Sequence, residues 1–220
     1  EKQMVIDACN SDFIIVIANL NESISLFLVN AKSKGVKIKT DILMDAGSYS
    51  NISFKNVSIP AKNQLDIDIE GESILKSVLE IGAIGLSCEM LGSVQAAFNQ
   101  TMEYIKERQQ FGTKIGSYQG LQHRAAKLFC EIELCKSIIL KALQSIDDQD
   151  ENLSKYAHLA KAKLGEVLKL TSNEAIQMHG GIGVTDDVNI GFYLKRARVI
   201  QRLLGDTNYH LECLANQKGY

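Results

Sequence analysis

Across Tyr118, Leu121, Ala125, Leu128, Ile132, Cys135, Ile139, Ala142 and Ile146 the apolar residues advance by three or four positions at every step. A helix turning every ~3.6 residues puts them all on one face, whereas a strand would divide them between two. A stripe of this length needs another helix to cover it, so a helical bundle is the first thing the chain must build. Two neighbouring segments can supply that cover. From about Glu72 to Gln109 the same spacing continues, a run longer than ~50 Å at ~1.5 Å per residue. Leu153, Ala157, Ala160, Leu164, Val167, Thr171 and Met178 repeat it after a DDQDEN turn. Ser117 is the expected N-cap of the middle helix. Two shorter helices, about 187–202 and 206–217, follow. Gly82, Gly85 and Gly92 each weaken the first helix by ~1 kcal/mol relative to alanine, which predicts close packing against another helix there.

Upstream of residue 65 the period changes to two. The runs 3–8, 12–18, 23–29, 36–42 and 48–59 read as strands separated by turn residues, and the only proline, Pro60, stands at the end of the last. VKIKT and NISFK alternate and should each wet one face, while FIIVI is apolar throughout and should be central. The expected fold class is therefore α+β: a partial antiparallel β-domain over 1–64, then an all-α helical-bundle domain over 65–220. A hydrophobic content of 45% is ample for a packed core, and 24 Lys+Arg against 26 Asp+Glu, mixed along the chain, form no basic field for nucleic acid. No apolar run approaches the ~20 residues that span a bilayer, and no signal peptide is visible. Cys9, Cys88, Cys130, Cys135 and Cys213 form no CxxC pair and are expected to be packed thiols in a reducing, cytoplasmic setting. The opening EKQMVIDA lacks an initiator Met and is already strand-like, so a fragment is expected.

The third helix runs into QMHGGIG, residues 177–183. One glycine suffices to end a helix in the left-handed conformation. The others allow a backbone without side chains to approach a ligand, with Gln177 and His179 as donors beside it. ERQQFG, residues 107–112, closes the first helix, and Arg108 either caps that helix's C-terminus or holds a phosphate in its planar fork. His123, His158 and His210 are too scattered for a metal site, and no metal is expected. Lys195, Arg196, Arg198 and Arg202 read as a solvated face or as partners for an acidic neighbour.

Taken together, YIKERQQFGTKIGSYQGLQH (104–123) and AIQMHGGIGVTDD (175–187) closely resemble the acyl-CoA dehydrogenase family of flavoproteins. The resemblance extends over the whole chain. It implies that the strands are the latter part of the family's middle β-domain and the helices its C-terminal four-helix domain. It also implies FAD, held mainly by one subunit, whose adenosine-diphosphate end meets the glycine-rich turn of a neighbour. At the matching positions Arg108 meets the pyrophosphate, Gln110 and Phe111 follow it in the motif, and Phe111 packs under the cofactor. Gln119 matches the motif glutamine eleven residues after the arginine, and Gln177, Gly180 and Gly181 form the adenine-end loop. Thr207 stands, displaced, for the threonine that follows the family's catalytic Glu-Gly. An acyl-CoA substrate, a homodimer, homotetramer or heteromeric dehydrogenase partner, and an electron-transfer flavoprotein are implied as well. Retention of FAD by this chain alone is not expected, because most flavin contacts lie outside it.

Members of the family remove an α-proton from the thioester with a carboxylate while hydride passes to the flavin. Most carry it as the Glu of a Y-E-G-T-like stretch; in LLGDT, residues 203–207, Leu204 has that place. Others set it on the long helix 26 residues before the motif arginine, and here that residue is Gly82. The nearest carboxylates are Asp206 and Glu80, of which Asp206 is the candidate base, with an N-cap of the last helix as its ordinary role. Three functions stay open: an active acyl-CoA dehydrogenase with a shifted base, a non-catalytic subunit that completes a partner's FAD site, and a flavin-free scaffold. The intact RQQFG and QMHGGIG motifs argue against the scaffold.

Overall fold

A computed structural model describes residues 1–219, which form two compact units dividing between Val78 and Leu79. The first unit holds β1 (Lys2–Ile6), β2 (Phe13–Leu20), β3 (Ser23–Asn30), β4 (Val36–Ile42) and β5 (Ser48–Phe54). These stand where the period-two runs put them. β5 pairs antiparallel with both β1 and β4, and β2 and β3 form a separate hairpin. The centre of the three-stranded sheet is thus β5, with Ile52 in the core, and not the FIIVI run. In β2, Ile14 and Val16 are buried while Phe13 and Ile15 are 54% and 58% exposed. The pleat sends alternate residues to opposite faces and β2 has one packed face, so an all-apolar run does not by itself make a strand central. β4 alternates as expected, with Val36 and Ile38 half-buried and Lys37 and Lys39 exposed.

The helices are α1 (Gly71–Glu107), α2 (Gln119–Asp147), α3 (Leu153–His179), α4 (Ile190–Ile200) and α5 (Thr207–Gln217). Leu128, Ile132, Cys135, Ile139 and Ala142 of the α2 stripe are buried, as the spacing demands. The last four join Ile84, Met90 and Val94 of α1, Ala157, Ala160 and Leu164 of α3, and Ile200 of α4 in one core, while Leu128 packs with Ile105 and Met178. Each fully buried Leu or Ile there stabilises the fold by roughly 2 kcal/mol. Arg124–Glu174 and Lys163–Glu131 pair α2 with α3, and Arg196 meets Glu89 of α1 at 2.7 Å, so the basic cluster of α4 does find an acidic neighbour.

Three local expectations change. Ser117 is not the N-cap of α2: it ends a 3₁₀ turn, Ile115–Ser117, where its Oγ donates to the Lys114 carbonyl, and α2 starts two residues later behind Tyr118. The displacement follows from a tight hairpin, β6 (Gln109–Gln110) and β7 (Thr113–Lys114), that occupies the backbone between α1 and α2. A Cβ on Gly85 or Gly92 would meet nothing within 4 Å, so close packing does not account for these two glycines. Cys9 and Cys130 are exposed and only Cys135 is fully buried, its thiol pushed up to about 11 by burial. Cys130 lies two residues past Leu128, which on a helix is roughly 200° around from the stripe. Among the described residues no helix is long and apolar enough to cross a membrane.

Candidate functional site

The chain leaves α1 at Glu107 and turns back on itself at once. Phe111 (φ 54°) and Gly112 (φ 80°) both adopt the left-handed conformation, the requirement of a two-residue connection between β6 and β7. For a phenylalanine that conformation costs ~1–2 kcal/mol. The hairpin is nonetheless braced: the Tyr118 hydroxyl donates to the Gln110 carbonyl at 3.2 Å, and the Ile115 amide donates to the Arg108 carbonyl at 2.8 Å. At its tip the Phe111 ring is 93% exposed and covers nothing in this chain. Arg108 is exposed, and among the described residues no hydrogen bond or ion pair holds its guanidinium, so it does not cap its own helix. Gln119 opens α2, exposed, a few residues on.

At the end of α3 only two of the three glycines have a reason inside the chain. Gly180 takes φ 67° and ψ −144° as the helix ends, a conformation essentially reserved to glycine, though not the left-handed helical cap expected. A Cβ on Gly183 would lie 2.8 Å from the Ile176 carbonyl oxygen, so this glycine is demanded by packing. Gly181 has neither reason, since a Cβ there would meet nothing within 4 Å. Its bareness serves nothing inside the chain. Gln177 is exposed beside it.

Tyr104, which the motif contains but residue-by-residue reading passes over, joins the two motifs. Its ring stacks on His179 with centroids 4.3 Å apart and planes 20° apart, and its hydroxyl donates to the His179 carbonyl at 3.2 Å. The imidazole is itself fixed, Nδ1–H donating to the Ala175 carbonyl at 2.7 Å. Because the Arg108 amide donates to the Tyr104 carbonyl, one helical turn separates the arginine from this clasp, and Gly180 follows His179 directly. Arg108, Gln110, Phe111, Gly180 and Gly181 therefore share one end of the bundle.

Asp206, Thr207 and Leu204 do not share it. Thr207 packs its hydroxyl against the backbone of Gly165, where a Cβ would collide with it. From Gly165 to Gly180 along α3 is roughly 20 Å. Asp206 is the N-cap of α5, its Oδ1 accepting from the Tyr209 amide at 3.0 Å. The two positions that the sequence resemblance implies for a base, Gly82 and Leu204, are neighbours: a Cβ on Gly82 would stand 2.8 Å from Leu204 Cδ1. The two alternative positions converge on a single spot, and an aliphatic side chain lies in it.

Beneath that spot lies a polar cluster that the sequence does not announce. Lys161, 1% exposed, donates from Nζ to the Gly205 carbonyl at 2.8 Å and the Gln201 carbonyl at 3.2 Å. His210, 2% exposed, donates from Nε2–H to the Leu204 carbonyl at 3.0 Å, which leaves Nδ1 to accept from His158 Nδ1–H at 2.8 Å. His158 and His210 are thus not scattered, being brought together by α3 and α5. Burial, reinforced by the charges of Lys161 and His158, lowers His210 to about 4. Burial lowers Lys161 to about 8, against the opposing pull of Asp206. Among the described residues no group of three His, Cys, Asp or Glu could hold a metal ion.

Residues 70–218 match the family model described as acyl-CoA dehydrogenase, C-terminal domain. The short/branched chain specific acyl-CoA dehydrogenase of Rattus norvegicus, a mitochondrial protein, is 29% identical over 222 residues, covering 97% of this chain and 51% of that protein. The caffeyl-CoA reductase-Etf complex subunit CarC of Acetobacterium woodii is 30% identical over 179 residues, covering 80% and 47%. The chain thus spans about half the length of these curated relatives. In fold it is like the solved butyryl-CoA dehydrogenase of Megasphaera elsdenii, with a TM-score of 0.92 at 24% identity over 100% of this chain and 59% of that one. With the family model matching well over half of its residues, the chain belongs to the acyl-CoA dehydrogenase family.

Proposed function

We propose that the full-length protein is a FAD-dependent dehydrogenase of acyl-CoA thioesters, and that this chain offers the surface on which the diphosphate end of a neighbouring subunit's FAD rests. One observation carries the reading: the Tyr104–His179 clasp sets an unpaired guanidinium, Arg108, at the same end as a glycine, Gly181, whose bareness nothing in the chain requires. These residues fit that ligand. The arginine fork suits phosphate oxygens, the bare corner admits close backbone approach, and Phe111 presents an apolar face. Gln110, Gln119 and Gln177, all exposed, surround them with amides. When bound, FAD supplies the hydride acceptor for α,β-dehydrogenation. Thr207, against Gly165 near the middle of α3, is a further FAD contact in this reading, separate from the diphosphate surface. A homodimer or tetramer in the cytoplasm, with an electron-transfer flavoprotein as acceptor, is the assembly this reading entails.

A second reading is favoured by the contact between Leu204 and Gly82: a non-catalytic subunit that completes the FAD site of a heteromeric dehydrogenase whose other subunit brings the base. In the first reading the base is Asp206 acting through Oδ2, since Oδ1 is engaged by the cap.

The deciding experiment purifies the full-length protein alone, measures bound flavin, and adds acyl-CoA without oxygen. Bleaching by the lone protein supports the first reading; flavin binding without bleaching supports the second. Arg108→Ala should weaken FAD binding roughly 10- to 100-fold, the loss of a charge-assisted hydrogen bond of ~1.5–3 kcal/mol. Flavin content that survives gel filtration unchanged in that variant refutes the cofactor assignment. The 220 residues alone should elute without flavin.

A further inference from the structure

The backbone from Gln201 to Asp206 is strained and over-determined at once. Leu204 has φ 54°, a left-handed conformation held by a branched residue, and Gly205 follows at φ 98°. Strain of this kind persists only where the surroundings impose it, and it concentrates where a chain must present something in a fixed way. The surroundings here serve three of its carbonyls from two buried side chains. Lys161 serves Gln201 and Gly205, and His210, itself held by His158, serves Leu204. Asp206 then locks the exit as the cap of α5. The turn so held is the one that brings Leu204 against Gly82.

We propose that Lys161 is a positioning residue: from beneath, its ammonium sets the 201–206 backbone and thereby fixes what that turn presents beside Gly82, with the His158–His210 pair as its second point of attachment. The assignment rests on the proposed dehydrogenase function and on the resemblance's placing of a base at Leu204 or Gly82, the spot that would then face the α-carbon of the thioester. It goes beyond that reading in giving the spot a support that touches neither substrate nor flavin. A buried ammonium is a costly way to satisfy two carbonyls. Its depressed pKa, about 8, records that cost, which a structural filler such as methionine would avoid.

The test compares full-length wild type with Lys161→Met, which keeps the length and loses the donors, and with Lys161→Gln, which keeps an N–H donor pair. Two quantities are read: amide hydrogen exchange over 201–206, and the acyl-CoA concentration that half-shifts the bound flavin spectrum. Lys161→Met should melt no lower than wild type, exchange at least tenfold faster in the turn, and need at least tenfold more acyl-CoA. Its flavin content should be unchanged, because the diphosphate surface lies at the C-terminal end of α3. Lys161→Gln should recover part of both losses. Unchanged exchange in Lys161→Met overturns the proposal, and so does faster exchange with an unmoved acyl-CoA titration, which makes the lysine structural only. If Lys161→Met does not fold, Lys161→Gln must show the same two losses in smaller measure, or the proposal falls. A wild type whose flavin responds to no acyl-CoA overturns the functional reading, and the positioning role with it.

Discussion

The C-terminal end of α3 and its stretch around Lys161 are opposites. At the C-terminal end groups are left over: a guanidinium with no partner among the described residues, an aromatic ring in water, a glycine with open space where a side chain would stand. Around Lys161 the backbone is fully served, since the Gln201, Leu204 and Gly205 carbonyls all have donors, Asp206 is a cap, and Leu204 fills the space beside Gly82, while the buried Gln201 Nε2 alone has no partner among the described residues. The contrast separates two kinds of evidence for function. Unused binding capacity marks a place where something from outside the chain belongs. A strained turn whose carbonyls are held by buried side-chain donors marks a shape being held, and its occupant must be read from what the turn presents.

The sharpest attempt to break this contrast puts a carboxylate where the held turn now presents a leucine. In full-length protein with flavin bound, Leu204→Glu should raise the rate of acyl-CoA bleaching by ~10²-fold or more, the lower part of what a positioned general base contributes. Gly82→Glu should do the same from the facing helix, because the two positions share one spot. Bound flavin that stays unbleached in both variants means that the thioester reacts elsewhere, and the turn loses its functional meaning.

The held end should also respond to pH. His210 is lowered from 6.5 to about 4, so between those values the unfolded chain takes up a proton that the folded chain refuses. Stability is therefore lost as pH falls from 6.5 to 4, by up to roughly 3 kcal/mol. Lys161 is lowered from 10.5 to about 8, and the same argument makes stability rise between pH 8 and 10.5 by a similar amount. Denaturant unfolding across the range should show both slopes, with His210→Gln removing the acid one and Lys161→Met the alkaline one. Coincident curves for wild type and His210→Gln would mean that the His158–His210 contact contributes nothing.

How much of this is legible in the sequence depends on range. The strands and the three stripes are visible because their periods repeat within a single element. The β6–β7 hairpin is not, because two-residue strands have no period and Phe111 occupies a left-handed position where turn rules expect Asn or Gly. Lys161 sits between Ala160 and Leu164, where a lysine ordinarily reads as surface, and only the tertiary fold puts α5 over it. His158 and His210 are 52 residues apart, and no spacing rule joins them. Leu204 and Gly82 can be seen one by one as unusual; that they touch is a property of the fold alone.

The open end can be tested glycine against glycine. Gly183→Ala pushes a Cβ to 2.8 Å from a backbone oxygen that cannot move aside, so a destabilisation of about 1–3 kcal/mol is expected. Gly181→Ala meets empty space at an ordinary φ and should leave melting within about 0.5 kcal/mol of wild type. If the bareness of Gly181 serves the diphosphate, the same variant should bind FAD more weakly in the full-length protein. Equal FAD affinity in Gly181→Ala and wild type would remove this glycine from the site.

Gly85 and Gly92 set the smallest test, and they ask whether open space always signals a visitor. Both lie within α1, between the Gly82 spot and the Tyr104 clasp, and neither would meet an atom within 4 Å if given a Cβ. By helix propensity alone each Gly→Ala change should stabilise the folded chain by about 1 kcal/mol. Full-length variants that melt higher and bind flavin and acyl-CoA as before show these glycines to be idle, so that at Gly181 it is the company of Arg108 and Phe111, and not bareness, that points to a ligand. Variants that melt higher but lose oligomeric assembly or substrate binding place a second approach of outside chemistry along α1, and the open region then extends beyond the end of the bundle.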